Sequence, residues 1–310
     1  MAFLREFGRY VPARVVGNPE LAQLLGCDAD WIFNAAGIRE RRWADSSESV
    51  VDLADRAARD CLARAGADAG EIGLLLVSSG SSERRFPGPA AETGARLGIP
   101  GVPAIDVPLA SAGSLFAMAL GAQLSGSYGR VLVVAAEKMS AVIHDAPLDR
   151  NTAILFGDAA GACLIDPHEG SARVVDSRLH SDGACAADLR LEFNQPLHMK
   201  GPVVIRHASQ KLPAVIREVL DRCGQPAASI EAFLMHQANQ NLIVRVAQAL
   251  ETAPEKFFSN IARYGNTSSA SMLVAASEWN ESAGFRTGSP VVFAGFGAGF
   301  HWGALLAIGS

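Results

Sequence analysis

Three polar residues occupy positions at which folds commonly place catalytic groups. Ser111 follows the extended run that holds Ile105 and Val107, and it precedes small residues and an apolar helical pattern. This order predicts a strand, a turn and a helix, with the Ser111 side chain at the tip of the turn. His236 ends an apolar run, and Asn266 opens a segment crowded with Ser and Thr. A hydroxyl nucleophile, an imidazole base and an orienting amide could together transfer an acyl group.

Each of these residues also has a purely structural interpretation. Serine is favoured at helix N-termini, so Ser111 could simply cap a helix, and Asn266 with Thr267 could do the same. A histidine at a strand end is more often a hydrogen-bonded structural residue. A fourth segment, "GFGAGFHWG" (295–303), predicts a hairpin in which glycine supplies positive φ. It precedes a strand and not a helix, so it is not a dinucleotide-binding fingerprint.

The composition favours a protein that binds neither nucleic acid nor membranes. The chain has 310 residues, of which 49% are apolar, and a net charge of −5. This length allows one large domain or two closely packed halves. The modest net negative charge does not indicate a basic surface of the kind that binds nucleic acid. No apolar run of the sequence approaches the length that spans a bilayer. Arg5, Glu6 and Arg9 interrupt any signal-like segment, so we expect a cytoplasmic protein.

The five cysteines predict neither a disulfide framework nor a metal site. They are scattered, odd in number and without a CxxC pair. Cys61, Cys163 and Cys223 lie in apolar segments, which favours buried core positions. Cys185 lies in a loop rich in Gly and Ala and is a rival nucleophile. It is disfavoured because neither a histidine nor a turn motif accompanies it in the sequence.

Apolar runs alternate with helical patterns along the chain, which favours an α/β fold with a largely buried sheet. The predicted strands are 71–80, 129–137, 153–165, 230–238, 289–297 and 300–309. The predicted helices are 49–65, 111–125, 207–223, 239–250 and 267–282. The order strand, helix, strand occurs twice at nearly equal spacing, which predicts two similar halves, 1–165 and 166–310. Such a duplication would place Ser111 and Asn266 at related helix N-termini that face one cleft.

Together the four segments resemble the β-ketoacyl-[acyl-carrier-protein] synthase III family of the thiolase superfamily. "HQAN" (236–239) and "GNTSSAS" (265–271) are very similar to the His and Asn motifs of that family. Further matches are "WIFNAAGIRERRWA" (31–44), "ILFGDAAGACLI" (154–165) and "MKGPVVIRHA" (199–208). The resemblance runs nearly end to end and implies a thiolase-like, five-layered αβαβα fold and a homodimer.

The resemblance also implies a Cys–His–Asn active site beneath a pantetheine tunnel. His236 and Asn266 match two of these positions, and Ser111 stands at the position of the nucleophilic Cys. The backbone N–H groups of Ser111 and Ala298 would form an oxyanion hole. No metal or redox cofactor is implied.

The implied reaction moves an acyl group from a CoA or carrier-protein thioester to Ser111. A malonyl thioester then loses CO2 and condenses with this acyl group, in fatty-acid or polyketide-type specialised metabolism. Two alternatives stay open. One is an acyltransferase that makes an ester or amide without a new C–C bond, and the other is a non-acylating partner subunit of another ketosynthase.

Serine at position 111 has three interpretations. It could be a native nucleophile, which then needs an adjacent base because a hydroxyl is much less acidic than a thiol. It could be an engineered Cys→Ser substitution. It could also mark a chain in which acylation is lost, although the presence of both His236 and Asn266 argues against a wholly inert subunit.

The substrate-binding positions of the family are only partly retained. Trp31 and Arg150 match contacts to the CoA nucleotide and Asn239 matches a pantetheine contact, but Ala35 stands in place of a family Arg. Where the family commonly presents basic residues to the acyl carrier protein, this sequence has two amides, Asn241 and Gln248.

Two residues are matched to the acyl pocket. Phe86, in "RRFPG", corresponds to a position that caps the pocket of the partner subunit, and Ser114 stands where many relatives have Phe. His301 lies beside the Gly-rich hairpin, and we favour a structural role for it. Further pocket candidates, each with core packing as the simpler interpretation, are Leu109, Phe116, Phe193 and Leu197.

Overall fold

The computed structural model describes residues 1–143, 149–192 and 195–310, which form a mixed sheet covered by helices. The described strands are β1 (Phe3–Tyr10), β2 (Arg14–Gly17), β3 (Glu40–Trp43), β4 (Ile72–Ser78), β5 (Ala104–Val107), β6 (Arg130–Lys138), β7 (Asp158–Asp166), β8 (Ala172–Ser181), β9 (Leu189–Arg190), β10 (His198–Met199), β11 (Ala232–Met235), β12 (Pro290–Gly297) and β13 (His301–Gly309). The described helices are α1 (Asn18–Leu25), α2 (Ala29–Ala36), α3 (Val50–Ala65), α4 (Pro89–Leu97), α5 (Gly113–Tyr128), α6 (Met139–Ile143), α7 (Arg150–Ala153), α8 (Gly201–Arg222), α9 (Gln240–Ala249), α10 (Ile261–Tyr264) and α11 (Ala270–Ser282).

The main sheet contains nine of the described strands, in the order β11-β12-β13-β8-β1-β7-β6-β4-β5. On one side of the β8–β1 contact, β4 pairs parallel with β6, which pairs antiparallel with β7. On the other side, β11 pairs parallel with β12, which pairs antiparallel with β13. The sheet therefore contains two regions with the same local pairing, and the boundary expected after residue 165 would fall at the end of β7.

The helices form three layers around the two parts of the sheet. Helices α5 and α11 lie in the middle, and their buried residues join one apolar core with strands from both parts, among them β6 and β12. Helices α3 and α4 cover the outer face of β4, β6 and β7. Helices α8 and α9 cover the outer face of β11–β13. The thiolase-like α/β architecture expected from the sequence is confirmed.

The two middle helices position Ser111 and Asn266, because these residues lie just before the N-terminal ends of α5 and α11. Helix α11 is buried on every side from Ala270 to Trp279, which explains why its apolar residues are not confined to one face. It reaches β7 through Gly161, where a Cβ would lie 2.5 Å from the Cβ of Leu273. Only glycine allows this close approach of helix and strand.

Several element boundaries differ from those that the sequence predicts. Helix α5 begins at Gly113 and not at residue 111, and α8 begins at Gly201 and not at residue 207. Strand β7 begins at Asp158 because the residues before it form the short helix α7 and a turn. Elements that the sequence did not predict include β1, β8, α1, α2 and α4.

Within the described residues, no helix combines the length and the apolar character that crossing a membrane requires. The same residues hold no group of three or more His, Cys, Asp or Glu side chains arranged to bind a metal ion.

Candidate active site

A cavity of about 750 Å³ lies beyond the carboxyl ends of β4, β11 and β12. The predicted site residues in its wall are Trp31, Ser111, His236, Asn239, Asn266 and Ala298. Much of the remaining wall is apolar and comes from α8 and the segment before it, including Leu189, Met199, Val204, Ala208 and Leu212. The fold thus brings the three predicted catalytic residues together from distant parts of the chain.

Ser111 occupies a strained turn and not the first position of a helix. Its φ is +64°, and the N–H of Ala112 donates to the carbonyl of Ala110 at 2.7 Å, which closes a three-residue turn. Helix α5 starts after an N-cap at Ala112, without a side-chain cap. The interpretation of Ser111 as a helix cap is therefore wrong. A non-glycine residue held in this backbone region is typical of functional sites.

The hairpin between β12 and β13 packs directly on this turn. A Cβ at Gly297 would lie 2.2 Å from the carbonyl oxygen of Ala110, so only glycine allows the contact. The next residue, Ala298, lines the cavity. No hydrogen bond within the described part of the chain uses its N–H. The Ala298 N–H is thus an available donor beside the Ser111 turn.

The Ser111 N–H, by contrast, already has a partner. It donates to the Ser268 hydroxyl oxygen at 3.0 Å, across 157 positions of sequence. Ser268 also has a positive φ, +46°. Two strained serines from the two middle helices' N-terminal segments therefore meet at the cavity wall.

His236 directly follows β11 and is held from both its backbone and its ring. Its N–H donates to the Ala294 carbonyl at 2.9 Å, and its Nδ1 lies 2.6 Å from the Ser271 hydroxyl. Ser271 also accepts the N–H of Gln237 at 3.0 Å. Nδ1 is thus engaged, which leaves Nε2 for the cavity. No hydrogen bond joins Ser111 to His236 in the described structure, and such contacts often tighten only when substrate binds.

Burial lowers the pKa of His236 to about 4, and a hydrogen bond with the Ser268 backbone acts in the opposite direction. The imidazole is 6% exposed, so its charged form loses most of its hydration in the folded state. At neutral pH the ring is therefore neutral and can accept a proton or donate one hydrogen bond.

This pKa predicts a loss of stability below neutral pH. The unfolded chain has a histidine pKa near 6.5 and the folded chain one near 4, so stability is full above 6.5 and falls as the pH drops through this window. From pH 7 to pH 5 the free energy of unfolding should fall by about 2 kcal/mol through this residue. Urea unfolding of wild type and His236→Asn at both pH values measures it. Equal losses in the two proteins would contradict the assignment.

Asn266 is oriented by three backbone contacts. Its N–H donates to the Leu155 carbonyl at 2.8 Å, and its carbonyl accepts the Gly157 N–H at 3.1 Å. Its side-chain Oδ1 accepts the Ser268 N–H at 2.9 Å. The helix N-cap is Ser269, so the interpretation of Asn266 as the cap is wrong. Because Oδ1 is occupied, the Asn266 amide presents its N–H donors to the cavity.

Glu137 is a fully buried carboxylate beneath the cavity, and no motif of the sequence singled it out. It accepts the N–H of Gly80 and the hydroxyl of Ser81, at 3.0 and 2.6 Å. It also accepts the hydroxyl and N–H of Ser269, at 2.6 and 3.2 Å. The carboxylate thereby joins the loop after β4 to the start of α11.

At the cavity mouth the Arg150 guanidinium lies 5.5 Å from the centre of the Trp31 ring. Asn239 lines the cavity, but both ends of its amide are used within the protein. Its Nδ2 donates to the Ala35 carbonyl at 3.0 Å, and its Oδ1 accepts the Asn241 N–H at 2.8 Å. Asn239 thus caps α9 and ties it to α2, in addition to any contact with a ligand.

The other predicted pocket residues are placed less directly. Phe86 is 84% exposed and lies outside the cavity wall. Ser114 is fully buried, is not part of the cavity wall, and has no hydrogen-bond partner for its hydroxyl among the described residues. Leu197 lines the cavity, Leu109 packs against the core, and Phe193 lies outside the described residues. The pocket role expected for Ser114 therefore has no direct wall contact to support it in a single chain.

Two further histidines, His301 and His207, make side-chain contacts in the fold. The structural role expected for His301 agrees with its contacts, whereas the sequence did not predict the contact of His207. His301 is not part of the cavity wall. Its Nδ1 lies 2.7 Å from the Ser181 hydroxyl and its ring packs edge-on against Phe116, as a structural residue would. His207, however, places its Nε2 4.0 Å from the Cys185 sulfur. In the fold, a histidine therefore does lie beside Cys185, although none is near it in the sequence.

Two family models match the chain, and both carry the same name. Residues 105–183 match 3-oxoacyl-[acyl-carrier-protein] synthase III, and residues 220–307 match the C-terminal model of that synthase. The β-ketoacyl-[acyl-carrier-protein] synthase III of Gloeobacter violaceus is 37% identical, over 97% of this chain and 96% of the relative.

Solved structures agree with these sequence matches. The 3-oxoacyl-[acyl-carrier-protein] synthase III of Aquifex aeolicus has a TM-score of 0.95 and 31% identity, over 99% of this chain and all of the other. The priming β-ketosynthase of the R1128 polyketide pathway has a TM-score of 0.92 and 30% identity, over 100% of this chain and 97% of the other.

Proposed function

Because the chain belongs to the 3-oxoacyl-[acyl-carrier-protein] synthase III family, whose members are acyl-transferring condensing enzymes, we propose that it condenses an acyl thioester with a malonyl thioester through an acylated Ser111. The observation that supports this is the single cavity shared by Ser111, His236 and Asn266, with the available N–H of Ala298 beside them. The names of the relatives support fatty-acid or polyketide priming as the setting.

In the first step the Ser111 hydroxyl oxygen attacks the carbonyl carbon of the acyl thioester, and its proton passes to Nε2 of neutral His236. The π electron pair moves to the carbonyl oxygen, where the available N–H of Ala298 stabilises it. When the C=O bond re-forms, the C–S bond breaks and the thiol leaves with the proton held by His236. The Ser271 hydroxyl can accept from or donate to Nδ1, so it accommodates both states of the ring.

In the second step a malonyl thioester takes the place of the departed thiol. After the thiol leaves, the neutral ring exchanges its proton through solvent from Nδ1 to Nε2, and Nδ1 then accepts from the Ser271 hydroxyl. The Asn266 amide and the His236 Nε2–H donate to the malonyl thioester carbonyl, so the electron pair released with CO2 is stabilised as an enolate. The enolate carbon attacks the Ser111 ester, a C–C bond forms, and Ser111 leaves and regains a proton. Each proton and electron pair comes from substrates, water or these residues, so the two steps need no metal or redox cofactor.

We also propose that Trp31 and Arg150 hold the nucleotide of a CoA donor at the cavity mouth. A planar cation facing an indole leaves room for an aromatic base to stack on either group. Replacing Trp31 or Arg150 with Ala should weaken acyl-CoA binding by roughly tenfold and leave the acylation rate at saturation unchanged.

The matched control for this prediction is Lys211→Ala, because the Lys211 ammonium lies 3.8 Å above the Trp302 ring, a similar pair that does not line the cavity. Acyl-pantetheine, which lacks the nucleotide, should be bound equally by wild type and by both mouth variants. A tenfold loss with this shorter donor as well would assign the two residues to some other role.

The open edge of the sheet supports the expected homodimer. Strand β5 pairs only with β4 among the described strands, and Ile105 on it is 48% exposed. Phe86 and Leu120 are also exposed for apolar residues. A second copy placed along this edge would cover these side chains and would allow Phe86 to cap the neighbouring acyl pocket.

The experiment that tests the proposed function offers the protein an acyl-CoA and either malonyl-CoA or malonyl-carrier protein. Release of CO2 together with a β-ketoacyl thioester is the expected result. An ester or amide of the acyl group without CO2 would replace condensation by simple acyl transfer. A protein that shows no turnover alone, but copurifies with a second ketosynthase-like chain, would be a partner subunit.

A further inference from the structure

The hydroxyl of Ser268 lies at the reaction centre without an assigned role. Ser268 lines the cavity, is 1% exposed, and its oxygen accepts the Ser111 N–H at 3.0 Å. Within the described residues no acceptor takes the hydroxyl's own proton, since the other hydrogen bond of Ser268 to a side chain uses its backbone N–H. This proton is therefore available to a substrate atom in the cavity.

The position of this hydroxyl is fixed by the backbone on both sides. The Ser268 N–H donates to Oδ1 of Asn266 at 2.9 Å, and its carbonyl accepts the Ser271 N–H at 3.3 Å. These contacts hold Ser268 at a positive φ, a conformation that a serine adopts only when its surroundings impose it. Ser268 thus contacts both Ser111 and Asn266 directly.

Because the Ser111 N–H is already occupied, the oxyanion lacks one hydrogen-bond donor, and the Ser268 hydroxyl can supply it. An N–H that already donates a hydrogen bond to one oxygen has little left for a second. A hydroxyl that accepts such a bond becomes a stronger donor, because the two bonds polarise each other. The positive end of the α5 backbone can therefore act on the substrate through the Ser268 hydroxyl.

We propose that the Ser268 hydroxyl is a catalytic group that donates to the oxyanion formed when Ser111 is acylated, with the Ala298 N–H as its companion. The inference rests on the proposed function. As the Ser111 oxygen bonds to the thioester carbon, the π pair moves to the carbonyl oxygen, which accepts the Ser268 hydrogen bond without taking its proton. When the C–S bond breaks, the pair returns and the hydrogen bond weakens.

Single-turnover acylation of Ser111 tests this role. The protein is mixed with acetyl-, butyryl- or octanoyl-CoA, and the adduct is followed by intact mass over a range of donor concentrations. Ser268→Ala should lower the rate constant at saturation by about 10²-fold, the usual effect of removing one oxyanion donor. The half-saturating donor concentration should stay nearly constant. Ser282→Ala, at the far end of α11, should acylate like wild type because its hydroxyl donates only to helix carbonyls.

Ser268→Thr separates a hydroxyl role from a packing role. Threonine keeps the hydroxyl, but as a β-branched residue it fits the positive φ worse than alanine. A hydroxyl role gives the order Ser, Thr, Ala in rate, whereas packing alone gives alanine above threonine. Alanine at or above threonine, or equal to or faster than wild type, would overturn the inference alone. Absence of any adduct on wild type would overturn the proposed function and this inference with it.

Discussion

Replacing Ser111 with alanine is expected to remove the acyl adduct and to lower condensation by about 10⁶-fold, to background. Ser111 lies at the tip of a strained turn, in a cavity shared with His236 and Asn266. Ser268 also combines a positive φ with a place in the cavity wall, but its oxygen accepts the Ser111 N–H, whereas no described hydrogen bond uses the Ser111 hydroxyl. Intact-protein mass after incubation with an acyl-CoA, and release of CO2 from a malonyl thioester, measure the two losses.

Ser111→Cys supplies the matched gain-of-function variant. A thiol has a reference pKa near 8.5 and becomes more acidic at a helix N-terminus, so the cysteine should acylate faster than the serine. A thiolate needs no base, so adding His236→Ala should slow acylation less in the Ser111→Cys variant than in wild type. His236→Ala should still abolish decarboxylation in both the wild-type and the Ser111→Cys background, because the His236 hydrogen bond to the malonyl carbonyl is lost.

Two outcomes would change the assignment of the nucleophile. If Ser111→Ala gains the same acyl mass as wild type, the nucleophile is a different residue. Peptide mapping should then begin at Cys185, which lies beside His207. If Ser111→Cys completes condensation while wild type stops at a stable acyl ester, serine traps the first intermediate. Acylation and condensation by wild type itself would establish serine as a working nucleophile.

The three candidate catalytic residues could be located from the sequence because each follows or precedes a regular pattern. His236 ends an apolar run and Ser111 precedes one, so a strand end and a turn could be inferred from periodicity. The roles of the hydroxyls in "GNTSSAS" could not be inferred. In the fold Ser268 contacts Ser111, Ser269 contacts Glu137 and Ser271 contacts His236. These directions depend on helix packing, which a run of similar residues does not encode.

The missed elements have equally local causes. Strand β8 is half-buried along most of its length and alternates apolar and polar residues irregularly, so it lacks the apolar run that revealed β6 or β12. The sequence pattern predicts a start of α8 at residue 207 because Arg206 interrupts the apolar pattern of its first turns. Pro202, in its first turn, was the available signal for a helix start at Gly201.

Glu137→Gln is expected to destabilise the protein by roughly 3 kcal/mol and also to slow acylation of Ser111. The buried carboxylate receives four close hydrogen bonds, from Gly80, Ser81 and Ser269. An amide nitrogen at one of its oxygen positions would face donors with another donor. Urea unfolding at constant pH measures the loss of stability.

The loss of activity follows from what this network joins. Gly80 packs against the Ser111 turn, since a Cβ there would lie 2.7 Å from the Cβ of Ala110. Ser269 is the N-cap of α11, next to Ser268. Loosening the carboxylate therefore lets the nucleophile turn and the Asn266 segment shift relative to each other, and an error of about 1 Å in such a site costs about 10²-fold in rate.

Glu278→Gln separates the effect on the site from the effect on stability. Glu278 is also a buried carboxylate, and it accepts hydrogen bonds from Asn260, Arg263 and Tyr264, away from the cavity wall. Its substitution should lower stability by a similar amount and leave acylation of the folded protein unchanged. If both variants, compared at a temperature where both are folded, acylate at the wild-type rate, Glu137 supports the fold but does not position the nucleophile. If only Glu137→Gln is slow, the contact between the two middle helices' N-terminal segments sets the geometry of the reaction.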